Sequence, residues 1–441
     1  MHALLLSYIS LVLVGLPLRG HYSPGGMIFA LAGFLFCIIG LLQYKRAPKK
    51  FSALHPTVLM ISLLLFLISS SVHIPAFFLT DGRFVIFHTL SLWVLVALLP
   101  IAYFLAPHWQ FFRRSIFFLA LGIGFAFRIA LPQYSPEPIV DVFSSIQQSA
   151  AHILQGKNPY ATPIQDVYEQ APQPELGYTA TTYFYPPANL PFQVGAFILG
   201  RDIRYATVFA EMVVAWTVWH FARRRVSASS SELFVLLFLF HVRALYILEM
   251  GWTDPLIFMM FGLSLLAYDR GYAAPGALAY GYFLSMKQYL AYLAIHWLLL
   301  ERRWRYLLLG IMTGMLTAVP FLFLDPVSFW NQGVLFLLHV PFRADGLTVF
   351  SVLYRLFGIV PSKLWTAAIG GIAALLSLFL FRKERNLTGY LFATSITMFA
   401  IFLFGTQAFC NYYYFLSGIM LFLLITLQNS PQENTLTRVS G

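Results

Sequence analysis

The chain has 441 residues, 59% of them hydrophobic and 10% charged, with a formal net charge of +11. A soluble domain carries about 25% charged residues, so a soluble globular enzyme is excluded. Nucleic acid as a partner is excluded too, because the basic residues stand in short clusters between apolar runs, as at the cytoplasmic ends of membrane helices. Spanning a bilayer takes roughly 17–25 apolar residues, and that requirement defines the expected class: an all-α integral membrane protein.

In chain order, spans are expected at 3–18, 26–44, 57–79, 84–105 and 115–131. The first lacks a basic leader and a clear cleavage site, so it reads as a retained helix. A mostly polar stretch, Pro132 to Tyr185, follows. Later spans are expected at 204–221, 232–250, 254–268, 273–286, 288–300, 305–323, 363–381, 388–404 and 412–427, about 14 in all. Clusters such as Lys45-Arg46, Arg113-Arg114, Arg223-Arg224-Arg225, Arg302-Arg303 and Arg382-Lys383 fall in alternate loops. Placing those loops in the cytoplasm puts both termini inside and the 132–203 and 325–361 loops outside. Two decisions follow from that parity. Ala188 to Leu199 is an interfacial helix, too short at 1.5 Å per residue to cross. Ala273 to Leu300 crosses twice, as two short helices meeting near Met286-Lys287-Gln288. A Lys there would lie outside or line a cavity, since an unpaired Lys in lipid is expensive. Residues 429–441 read as a disordered cytoplasmic tail, and residues 1–110 as an N-terminal four-helix extension to a catalytic domain, 111–428.

The outer stretch IVDVFSSIQQSAAHILQGKNPY, Ile139 to Tyr160, carries one carboxylate ahead of an uncharged amphipathic helix, 141–156. Phe143, Ile146, Ala150, Ile153 and Leu154 recur at helical spacing, which suits a helix lying in the membrane interface. Asp141 has two readings: an N-cap accepting a backbone N–H, or a general base at the membrane surface. Other outer residues fall at the same level: Arg128 at the end of a span, Tyr183 to Pro187, Asp254, His339 and Arg343, and Asn411-Tyr412-Tyr413. Aromatics at this depth are commonly an interface belt, and Arg128, Lys287 and Arg343 read alone are snorkelling anchors. Together the three cations suit a phosphate at the outer leaflet. Asp166, Glu169 and Glu175 make the loop acidic, as a solvated surface. The histidines are scattered, with no HxxxH or CxxC, so no metal site is expected. The absence of a Gly-x-x-x-x-Gly-Lys-Ser/Thr loop removes support for ATP hydrolysis.

VDVF, AAHILQGKNPY and YFYPPANL, followed by the Asp254 segment, MKQYL and NYYYF, resemble the polytopic C-type (GT-C) glycosyltransferases. The closest likeness is to glycosyltransferase family 87, which includes polyprenyl-phosphate-mannose-dependent α-mannosyltransferases. The likeness runs from about Arg128 to the last span. Four helices precede the family's usual first span, and its Gly-Gln pair ahead of the Asp254 position reads Met250-Gly251-Trp252-Thr253 here. The resemblance implies a GT-C-type bundle that moves one sugar, mannose as the first choice, from a polyprenyl-phosphate donor to a hydroxyl of a lipid or glycan acceptor. Transfer would occur on the extracytoplasmic face of a plasma membrane, with inversion and without a metal or other cofactor. Asp141 would be the base; Lys287, Arg343, Arg128 and His339 would meet the donor phosphate; Tyr160, Tyr185, Gln288, Asp254, Asn411 and Tyr412 would contact substrate. Two rival readings are a flippase for a lipid-linked saccharide and a glycan ligase using a polyprenyl pyrophosphate. The ligase would need more outer arginines for its second phosphate.

Overall fold

The computed structural model describes residues 1–16, 20–48, 51, 53–105, 109–168, 181–301 and 303–428. Glu169, Glu175 and the expected tail lie outside them. Among the described residues every regular element is helical, as composition requires. Four helices are long and apolar enough to cross a membrane: Pro24–Arg46, Arg83–Phe104, Gln110–Tyr134 and Lys363–Phe381. His2–Leu13, Pro56–Ser71, Ala228–Leu239, Leu387–Leu403 and Cys410–Thr426 are apolar but shorter.

Several expected spans break where a polar or cyclic residue interrupts an apolar run. The run 57–79 is helical only to Ser71. The run 305–323 divides into Trp304–Leu316 and Val319–Leu324, because Pro320 has no N–H to continue the ladder. After Pro100, the expected 84–105 helix loosens into a π turn, Ile101–Leu105. The run 232–250 divides into Ala228–Leu239 and Ala244–Glu249. Between them, buried Arg243 donates to the carbonyls of Gly15 (2.7 Å), Leu16 (2.7 Å) and Ile74 (3.0 Å). Carbonyls just beyond two helix ends lack intrahelical partners, and the break delivers a guanidinium to them.

The first helices share a core with the last. His2–Leu13 packs on Pro24–Arg46 and on Cys410–Thr426, and the Tyr8 hydroxyl donates to the Leu237 carbonyl at 2.9 Å. Among the described residues, buried side chains of the first helices and of the last belong to one apolar cluster.

The 273–300 run is a hairpin, as expected in outline: an α-helix, Ala273–Leu284, a turn, then a twelve-residue 3-10 helix, Gln288–Leu299. A 3-10 helix repeats every three residues, and Leu290, Leu293, His296 and Leu299 form the buried row at that spacing. The hairpin's first arm meets Trp304–Leu316 through glycines. A Cβ on Gly281 would lie 1.4 Å from the Gly310 carbonyl oxygen, so the two backbones touch only because neither residue has a side chain. Gly281→Ala is expected to cost about 1–3 kcal/mol by overpacking. Gly371→Ala, where nothing stands within 4 Å of the added Cβ, should not. Thermal unfolding of both variants in one detergent checks this.

Two short helices pack on each other near the expected positions: Asp141–Leu154, and Leu190–Gly200, which is entered through a 3-10 turn at Pro187–Asn189 and also packs on Arg204–Ala222. The Gln147 side chain joins them, donating to the Arg201 carbonyl (2.9 Å) and accepting the Ile203 N–H (3.0 Å). Behind them the buried Glu249 carboxylate accepts from Phe77 N–H (2.6 Å), Phe78 N–H (2.8 Å) and the Ser135 hydroxyl (2.9 Å). Arg204 donates to the Ser135 carbonyl at 2.7 Å and lies over the Phe143 ring. These ties fix the point where Asp141 enters its helix.

Candidate functional site

A cavity of about 360 Å³ opens where these segments meet. Its walls come from His21, Phe77, Phe78, Ile139, Val140, Asp141, Val142, Tyr168, Phe184, Tyr185, Tyr246, Met250, Trp252, Lys287, Gln288, Tyr289, Val334, Leu338, Val340, Arg343, Gln407, Phe409, Asn411 and Tyr412. All of these lie on loops or helix ends, in segments expected from the sequence on the outer face. None of the basic clusters contributes. Seven residues expected at a site line this one cavity: Asp141, Tyr185, Lys287, Gln288, Arg343, Asn411 and Tyr412.

Asp141 is the first residue of its helix, and Val140 occupies the N-cap position without a side-chain cap. The N-cap reading is corrected accordingly. The carboxylate Oδ1 accepts the N–H of Val142, the next residue, at 2.8 Å. The Tyr168 hydroxyl lies 3.5 Å from the same oxygen and accepts the Asp141 N–H at 3.2 Å. Burial, then the Asp141 charge, pushes the Tyr168 phenol well above its ordinary range. Tyr168 is therefore a neutral hydrogen-bonding neighbour, and the positive end of the helix favours the Asp141 anion.

Each large cation in the wall is backed by a carboxylate. Lys287 Nζ reaches both oxygens of Asp254, at 3.0 and 2.9 Å, and lies 4.9 Å from the Tyr412 ring centre. Asp254 is fully buried and also accepts from Asn411 Nδ2 at 2.6 Å, so it supports the wall from behind. Arg343 grips Asp345 with two bonds, 2.7 and 2.6 Å, and stacks 4.9 Å from the Phe409 ring. His21 Nδ1 lies 3.0 Å from Asp345 Oδ2, the oxygen that Arg343 Nη2 also reaches. Burial raises the Asp345 carboxyl, but the hydrogen bonds and charges of His21 and Arg343 outweigh it and hold Asp345 below the usual carboxylate range.

Four expected residues do not line the cavity: Asp254, which stands behind the wall, and three that lie elsewhere. Tyr160 is buried under the wall among Tyr183, Phe321 and Phe329, and its hydroxyl donates to the Tyr185 carbonyl at 2.7 Å. It shapes the cavity from outside. Arg128 is buried against Glu211 and donates to the Gly124 (2.9 Å) and Leu239 (2.6 Å) carbonyls; it borders a separate, small cavity with His88 and His241. His339 ends a four-residue turn, Phe336–His339, whose neighbours Leu338 and Val340 line the cavity while His339 does not. Sequence reasoning passed over His21, Tyr168, Tyr289 and Asp345. Asp345 was readable as a partner two residues beyond Arg343, and His21 lay in a loop already assigned outside; Tyr168 gave no signal.

Among the described residues no group of three or more His, Cys, Asp or Glu could hold a metal. The class defined by fold and site is a protein that, among the described residues, is all-helical, carries helices long and apolar enough to cross a membrane, and has an aromatic, charge-lined cavity. Compared with known proteins, the chain matches no family model, no curated protein and no solved structure.

Proposed function

We propose that the chain is a GT-C-type membrane glycosyltransferase moving one sugar, mannose first, from a polyprenyl phosphate to a hydroxyl of a lipid or glycan. The observation that carries this reading is the convergence of Asp141, Lys287 and Arg343, from three distant parts of the sequence, on one cavity. A volume of about 360 Å³ is near the lower end of small-molecule sites, roughly 300–1,000 Å³. It suits a sugar and a phosphate better than a whole glycan, which favours a transferase over a ligase.

In the proposed step the acceptor oxygen attacks C1 and the C1–O bond to phosphate breaks. The hydroxyl proton passes to Asp141, since a sugar hydroxyl is a weak nucleophile until a base takes its proton. The polyprenyl phosphate leaves as an anion, needing charge stabilisation more than an acid; Lys287 and Arg343 supply it. In-line attack inverts the anomeric centre, and no metal takes part. For the isoprenoid tail, the Leu190–Gly200 helix and the 273–299 hairpin form a wall. They are joined by Tyr282 Oη to the Ala188 carbonyl (2.8 Å) and Asn189 Nδ2 to the Met286 carbonyl (2.9 Å). Leu199, 90% exposed at the helix end, leaves an apolar approach.

The test is sugar transfer by the protein in lipid nanodiscs, offered polyprenyl-phosphate mannose, glucose and other sugars with membrane-extract acceptors. Transfer from one donor is expected. Flipping of a lipid-linked saccharide in the same discs, with no transfer from any donor, would replace this reading with the flippase.

A further inference from the structure

Lys287 and Arg343 are each held by a carboxylate, Asp254 and Asp345 respectively. Among the described residues that line the cavity, His21 is a further nitrogen base, and it too meets Asp345.

The loop that carries His21 is held on several sides. Gly20 has φ +75° and sits against Cys410, where a Cβ would lie 2.3 Å from the sulfur, so the turn and the space both require glycine. The Tyr22 N–H donates to the Asp345 carbonyl at 2.7 Å, and Arg355 lies over the Tyr22 ring. Ser23 accepts from Gly26 N–H at 2.9 Å and caps the next helix. The His21 ring packs 5.3 Å from Phe409. Its side chain is 40% exposed, against 8% for Lys287 and 7% for Arg343, so of the three it is the most accessible to a ligand. With Nδ1 turned to Asp345, Nε2 is the ring nitrogen left to meet one, and in imidazolium both nitrogens donate.

We propose that His21 is a binding residue of this cavity, donating through Nε2 to a phosphate oxygen of the isoprenoid donor while Asp345 holds Nδ1. The inference rests on the transferase reading for the identity of the ligand. It gives the loop between the first two helices a place in the site.

The test measures binding of farnesyl phosphate and of farnesol to the full-length protein in nanodiscs, for wild type and His21→Phe. Phe keeps the packing on Phe409 and removes both nitrogens. Loss of a charged hydrogen bond predicts about tenfold weaker binding of farnesyl phosphate and unchanged binding of farnesol. Equal weakening of both ligands, or of neither, would overturn the assignment of His21. Wild-type protein that binds farnesyl phosphate no better than farnesol would overturn the transferase reading with it. A second measurement needs no variant: farnesyl phosphate should protect His21 from diethylpyrocarbonate, read on its own peptide by mass spectrometry. Modification at an unchanged rate would count against the contact.

Discussion

Asp141→Asn is expected to lower sugar transfer by about 10²- to 10⁴-fold, the range that a positioned general base contributes. Thermal stability should change little. Asn is nearly the same shape, and its amide oxygen can keep the bond now made by Oδ1 to the Val142 N–H. The structural loss is the attraction between an anion and the helix start, about 0.3–1 kcal/mol. The chemical loss is complete, because an amide does not accept the acceptor's proton. Binding offers a sharper separation. Removing a negative charge from the cavity wall should leave farnesyl phosphate binding unchanged or tighter, while turnover collapses. A folded variant with normal turnover would show that Asp141 only shapes the helix start, and the base would have to be sought elsewhere.

Lys287→Met should be the more damaging substitution for folding. Asp254 is fully buried, and removing one partner of a buried ion pair strands the other at a cost of about 3–5 kcal/mol. The Asn411 amide and the Tyr289 hydroxyl, which lies 3.5 Å from Asp254 Oδ1, cannot compensate, since neither brings a charge. Adding Asp254→Asn to Lys287→Met removes the stranded charge and should recover much of the stability. Transfer should stay low in the double variant, because the cation proposed to stabilise the leaving phosphate is still missing. Unfolding midpoints and turnover of the two single variants and the double one form a cycle that divides structural from catalytic loss. If turnover returned together with stability, Lys287 would be a structural residue alone.

What could be read beforehand follows from how local each signal is. Asp141, Lys287 and Arg343 stood out because each is an ionisable residue placed against apolar sequence, and all three line the cavity. The turn at Met286-Lys287-Gln288 was legible for a similar reason: the run was too long for one crossing and carried a Lys at its middle. Arg128 stood out equally and went elsewhere. Its partner Glu211 lies 83 residues away, inside a run whose hydropathy concealed one carboxylate. The break at Phe240 to Arg243 was hidden because the carbonyls that draw Arg243 belong to Gly15, Leu16 and Ile74. The expected 14 spans rested on apolar length, whereas the structure ends or divides several runs at Pro100, Pro320 and Arg243.

The 3-10 arm of the hairpin has a consequence for reach. At about 2.0 Å per residue its twelve residues cover ~24 Å, whereas the same residues in α-helical form would cover ~18 Å. The chain is drawn out by about a third and fastened at both ends. Lys287 holds Asp254 at the cavity, while His296 Nε2 lies 3.0 Å from Ser377 Oγ and 3.2 Å from the Ala374 carbonyl, nine residues further on. Cutting the Lys287 tie removes the anchor that keeps this arm extended, and any relaxation toward α geometry would withdraw Gln288 and Tyr289 from the wall they form. The depth of the cavity and the pitch of one helix are in this way a single mechanical quantity.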